Sequence, residues 1–170
     1  MIFHTPPLDR TVPARIYCLM SFHTLSSKFS AVFACVLALS LFAGCATPPD
    51  PYLDTVKQRA GVVALPSGLL YEVLRPGTGA FPKASDTVRV NYAGALTNGT
   101  VFDASAPPAT FSLYRVIPGW TEGLQKINVG GIIRLHVPAR LAYGAQSPSP
   151  AIPPNSTLVF EVELLAIVPR

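Results

Sequence analysis

Thr87-Val-Arg-Val-Asn-Tyr-Ala-Gly-Ala-Leu-Thr-Asn-Gly-Thr-Val-Phe-Asp103 decides the fold. Over Thr87–Tyr92 apolar and polar residues alternate, the period-2 pattern of a half-buried strand. Asn98-Gly99 follows, a pair that accepts positive φ at both central positions of a tight hairpin, and a second strand begins at Thr100. The two strands are therefore expected to run antiparallel. Tyr92 and Phe102 then approach one concave surface.

The same texture extends on both sides. Leu69–Arg75 alternates upstream, separated from Thr87 by the turn and loop residues Pro76-Gly-Thr-Gly79 and Phe81-Pro-Lys83. Downstream, Pro118-Gly-Trp-Thr-Glu-Gly-Leu-Gln-Lys-Ile127 sets Trp120, Leu124 and Ile127 on one helical face, with Pro118 where a helix start tolerates it. Gly130-Gly131 ends that helix. Ile132–Val137 and Thr157–Ile167 read as further strands. The sum is an antiparallel sheet with one short helix laid across it, an α+β domain.

Five stretches in fixed order carry a resemblance: Val90-Asn-Tyr-Ala-Gly94, Gly99-Thr-Val-Phe-Asp-Ala-Ser105, Val116-Ile-Pro-Gly-Trp-Thr-Glu-Gly-Leu124, Leu141-Ala-Tyr-Gly144 and Ile152-Pro-Pro-Asn-Ser-Thr-Leu-Val-Phe-Glu-Val-Glu-Leu-Leu165. Together they resemble the FKBP family of peptidyl-prolyl cis-trans isomerases, over a domain spanning 65–170. The resemblance implies a half-barrel sheet wrapped on the helix, with an aromatic pocket between them that takes a proline ring. It assigns substrate contacts to Tyr92, Phe102, Phe111, Val116, Ile117, Trp120, Ile152 and Phe160, and catalytic roles to Asp103 and Tyr143. Trp120 is the implied floor, Tyr92, Phe102 and Phe160 the walls. The Tyr143 hydroxyl and the Ile117 amide are the implied donors to a substrate carbonyl, and Asp103 is implied to be buried beside the pocket.

Proline-containing polypeptides are the partners so implied, with macrolides as competing pocket ligands, and no metal or cofactor is called for. From the residues alone, Trp120 reads as ordinary core; its place after Val116-Ile117 and beside Gly119 makes it a pocket residue. His136 alternates within a strand and has no Ser, Asp or Cys partner at a telling spacing, so it reads as structural.

The chain also departs from the family pattern. Gly131 stands where a Lys or Arg is common, Ile127 replaces a common Met, and Gln146-Ser-Pro-Ser-Pro-Ala151 replaces a glycine-containing flap with two prolines. The loop Ala106–Thr110 is short, as in bacterial relatives of the infectivity-potentiator type. No long N-terminal dimerisation helix is visible, which points to a monomer.

The first 45 residues read as targeting. Lys28 precedes an apolar run too short for a comfortable bilayer span, and small residues follow it, the layout of an export signal. Leu41-Phe-Ala-Gly-Cys45 resembles a lipobox, with Phe42 in place of the usual Leu; Cys45 is then the lipid-anchored mature N-terminus. An uncleaved anchor and ordinary cleavage near Ala43–Ala46 are the alternatives, and Met20 is an alternative start. Residues 46–64 read as a Pro-rich tether, with room for a short helix within Tyr52–Ala64. The expected location is outside the cytoplasm, as a periplasmic or outer-membrane lipoprotein of a bacterium.

Composition agrees with this layout. Cys18, Cys35 and Cys45 are the only cysteines, so the domain holds no thiol for a disulfide, a zinc site or a nucleophile. The formal charge of +4 includes Arg10, Arg15 and Lys28; from Ala46 onward ten Lys/Arg stand against eight Asp/Glu, leaving +2. With no basic stripe, nucleic acid is not an expected partner. Two functions remain: an isomerase for the folding of exported proteins, or a membrane-tethered module on the same fold that binds Pro-containing clients with little turnover.

Overall fold

A computed structural model describes residues 50–169. The expected export segment, Cys45 and the start of the tether lie outside the described residues. Helix α1 (Pro51–Lys57) is followed by β1 (Val62–Ala64), β2 (Leu70–Arg75), β3 (Thr87–Leu96), β4 (Val101–Ala104) and β5 (Ala109–Ser112). Helix α2 (Pro118–Gly123) runs on into a 3-10 turn at Leu124–Lys126, and β6 (Ile132–Val137) and β7 (Leu158–Val168) complete the chain. All pairings are antiparallel, in the order β1-β2-β6-β7-β3-β4, with β5 sharing the outer edge of β3.

Register and side-chain alternation put one set of residues on the concave face. Phe160 of β7 pairs with Leu135 of β6 and with Gly94 of β3, and Val162 pairs with Ile133 and Tyr92. Helix α2 lies against this face, where Trp120, Leu124 and Ile127 are buried with Val88, Val90, Ile133, Leu135 and Val137. Two glycines let it come so close: a Cβ on Gly119 would sit 2.4 Å from Val137 Cγ1, and one on Gly123 would sit 2.6 Å from Leu135 Cδ2. Contacts that short are not tolerated, so a larger residue at either place pushes the helix away from the sheet.

The expected hairpin is present but its turn differs. The Gly99 amide donates to Leu96 O, the Leu96 amide donates to Thr100 O, and of the two turn residues only Gly99 has positive φ, +87°. This is a type I turn closed by a bulge glycine, not a turn with both central residues left-handed. The Asn98 side chain explains the choice, since its Oδ1 accepts the Thr100 amide at 2.9 Å.

The tether expected over 46–64 is also corrected, because its described part belongs to the fold. Asp50 caps α1 through the Tyr52 amide, and Pro51 occupies the first turn, where a missing N–H costs nothing. Val56 is fully buried, and β1 pairs with β2 from Val62↔Glu72 to Ala64↔Leu70. Tyr52 reaches His136 on the convex side of the sheet, and Asp50 Oδ2 accepts the Thr157 hydroxyl.

Candidate active site

Between α2 and the concave face lies a recess of about 270 Å³. Trp120 is its floor, 4% exposed, with the rings of Tyr92, Phe111 and Phe160 at 5.3, 5.4 and 5.3 Å, each nearly perpendicular to the indole. Phe102 stands edge-on to Phe160 at 5.8 Å. Perpendicular packing sets the positive edge of one ring on the negative face of the next, and so locks a rigid box.

Gly94 makes that box possible. A Cβ there would lie 2.8 Å from both Phe102 Cζ and Phe160 Cε1. The strand must be bare at this point for the two rings to stand against it. The Trp120 Nε1–H is buried without a hydrogen-bond partner, and ring faces compensate such a donor only weakly.

Polar groups gather at the rim instead. Tyr92 donates its hydroxyl to Asp103 Oδ2 at 2.6 Å. Its burial, together with that hydrogen bond and the Asp103 charge, pushes the phenol up to about 12. Tyr143 is 40% exposed, and its hydroxyl makes no hydrogen bond among the described residues. Burial, and secondarily the Asp103 charge, raise its pKa above the usual phenol value. At neutral pH both phenols are donors, one committed to Asp103 and the other available. Ile117 also lines the recess, with its carbonyl engaged by the Trp120 and Thr121 amides.

Nine of the ten residues implied for the pocket line this recess: Tyr92, Phe102, Asp103, Phe111, Val116, Ile117, Trp120, Tyr143 and Phe160. Ile152 is not among these nine; at 6% exposure it is buried in the cluster that also holds Trp120 and Phe160. Asp103 is not buried as implied but exposed on the rim, with one carboxylate oxygen accepting the Tyr92 hydroxyl. Arg115 lines the recess and was missed, because nothing in an alternating or helical pattern marks a residue in the 3-10 turn Leu113–Arg115. His136 takes no part: it is 2% exposed, on the opposite face, with Nδ1 2.9 Å from the Tyr52 hydroxyl.

A larger recess of about 960 Å³ lies between the start of α1, the β3–β4 hairpin tip and residues 138–157, but it holds no aromatic ring. The aromatic box, by contrast, defines a class of site: an apolar recess the size of one small ring, with the Tyr143 hydroxyl uncommitted at its mouth.

Residues 78–165 match the family model described as FKBP-type peptidyl-prolyl cis-trans isomerase. The chain belongs to that family. It is 48% identical over 121 residues to the outer membrane protein MIP of Legionella longbeachae, covering 69% of this chain and 52% of that protein. It is 50% identical over 121 residues to the FKBP-type isomerase FkpA of Escherichia coli K12, covering 69% and 44%. The chain thus spans about half the length of the curated relatives it matches. Among solved structures it is similar to FkpA from Escherichia coli (TM-score 0.66, 50% identity, 69% of this chain and 56% of that one). It is similar also to the peptidyl-prolyl isomerase of Pseudomonas syringae pv. tomato (TM-score 0.67, 42% identity, 69% and 89%).

Proposed function

We propose that the domain catalyses cis-trans isomerisation of X-Pro bonds, acting on exported polypeptides. The observation that carries this reading is the Trp120-floored box, about 270 Å³ and smaller than a drug-sized cavity, with the Tyr143 hydroxyl uncommitted at its mouth. A prolyl ring is an apolar group of the right size for such a seat.

The chemistry needs no nucleophile. Rotation about the bond breaks amide resonance, and the barrier of roughly 18–20 kcal/mol belongs to a twisted state with less charge separation than the planar one. A dry aromatic seat solvates the planar, polar form poorly and so favours the twisted one. Tyr143 Oη and the Ile117 N–H are the groups available to hydrogen-bond substrate carbonyls, while Asp103 holds the Tyr92 ring in place. A millionfold acceleration asks for about 8 kcal/mol, within reach of desolvation plus two or three hydrogen bonds formed best in the twisted state. Macrolides that present a ring of prolyl size would occupy the same seat and inhibit.

The sequence further supports export, with Cys45 as a lipid anchor holding a monomeric domain at a bacterial envelope membrane; the relative called an outer membrane protein is in keeping with that. Mass analysis of the membrane-extracted protein is expected to find a diacylglyceryl group on Cys45, and an unmodified N-terminus beyond it would refute the anchor.

The activity itself is tested by cis-to-trans isomerisation of a short X-Pro peptide with the full-length protein, alongside Asp103→Ala and Tyr143→Phe. Acceleration that falls in both variants and with a macrolide supports the proposal. A folded protein that binds the peptide without accelerating it would instead be a Pro-peptide-binding module.

A further inference from the structure

Among the described residues, Arg115 is the only cation lining the recess, and the only anion there, Asp103, already accepts the Tyr92 hydroxyl. Among the described residues the ion pairs are made by Arg75 and Arg134, and Arg115 has none. Its guanidinium lies 5.8 Å from the centroid of the Tyr114 ring, which is 66% exposed. A guanidinium held over a ring keeps its N–H donors available at the edge, in the fork that suits a carboxylate.

The pair stands at a border. Val116 is shared by the recess and by an open depression of about 500 Å³, lined also by Tyr114, Pro118, Thr121, Glu122 and Gln125. A polypeptide whose prolyl ring sits on Trp120 must leave the recess, and a chain that leaves across Val116 passes the Arg115–Tyr114 pair. Glu122 lies farther along, its carboxylate accepting from Ser67 Oγ at 2.6 Å. The first charge such a chain meets is therefore positive and unpaired.

We propose that Arg115 is a specificity-determining residue, favouring clients with a carboxylate side chain next to the isomerised proline. The proposal rests on the reading of the recess as a proline-ring site. Because the guanidinium is exposed, the preference is modest and weakens with salt.

The test compares kcat/KM for short peptides that differ only by Glu or Gln, placed in one pair just before the proline and in another just after it. The full-length protein is measured beside Arg115→Gln, Arg115→Glu and Arg115→Lys. A Glu over Gln preference of about two- to fivefold at one of the two positions is expected at low salt, the range that exposed ion pairs support. It should vanish in Arg115→Gln, reverse in Arg115→Glu, survive in part in Arg115→Lys and shrink as salt rises. Equal turnover of Glu and Gln peptides at both positions, or a preference untouched by Arg115→Gln, overturns the role of Arg115 and leaves the isomerase reading standing. No acceleration of any peptide overturns both.

Discussion

Along β6, Ile133, Leu135 and Val137 face α2 and are fully buried, while Arg134 and His136 between them face the other way. One strand thus serves two surfaces that stabilise by different means. The concave side is apolar packing around an aromatic box. The convex side is a polar ladder, with Arg134 bridging Glu72 at 3.4 Å and Glu161 at 3.0 Å, and Glu163 joined to Arg75 at 2.6 Å and Asn91 at 3.0 Å. Helix α1 closes one end of that ladder by setting Tyr52 on His136. The proposed site lies on the concave face, so changes on the convex face should read out in stability without moving turnover.

The largest effect is expected on the concave side. Trp120→Ala removes a floor that touches three rings, and should cost about 3–5 kcal/mol of unfolding free energy together with peptide turnover. Chemical denaturation and the peptide assay check it, and a loss below 1 kcal/mol would mean that the box is not part of the core.

Next is a pH effect that belongs to the convex face alone. Burial, then the charges of Arg134 and Arg59, bring His136 down from 6.5 to about 4. The folded state therefore favours the neutral imidazole. Its contribution is full above the unfolded value of 6.5 and is lost as pH falls toward 4, up to about 3 kcal/mol. Denaturation midpoints measured from pH 7 to pH 4 should fall, and the slope should flatten in His136→Gln. Across pH 6–8 the site should be insensitive, since both rim phenols titrate above 10.

Tyr143→Phe and Tyr52→Phe make a matched pair, one hydroxyl from each face. The first should lower kcat/KM about tenfold with stability unchanged; the second should cost about 1 kcal/mol of stability with kcat/KM unchanged. If either variant moved the other assay, the division between the faces would not hold. Smallest is Arg134→Ala: its two bridges are partly exposed, so about 0.5 kcal/mol is expected, and less in high salt.

The aromatic box was legible because its members recur in a fixed order, and ring-bearing positions such as Tyr92, Trp120 and Phe160 have few alternatives once the strands and helix are placed. The strands themselves showed through alternation. What failed had local causes. Pro48, Pro49 and Pro51 suggested an extended tether, yet Asp50-Pro51 is a capped helix start, and its docking depends on Tyr52 meeting a histidine 84 residues away. β1 and β5 are three and four residues long, too short for a period to register. Asp103 was expected to be buried by resemblance, and its exposure follows from its place on β4, the sheet's edge.

The position of β7 has a consequence for how the molecule comes into being. Residues 158–168 form a strand between β6 and β3, so the middle of the sheet is supplied by its latest segment. A chain emerging from its N-terminus has β3 and β6 in hand but cannot join them until this strand arrives. Loop closures between partners some 70 residues apart are entropically dear, so an all-or-none, comparatively slow collapse is the natural course. Until then the aromatic residues of β3, β4 and α2 lack the Phe160 wall to pack against, and the nascent domain exposes them to capture by other folding helpers.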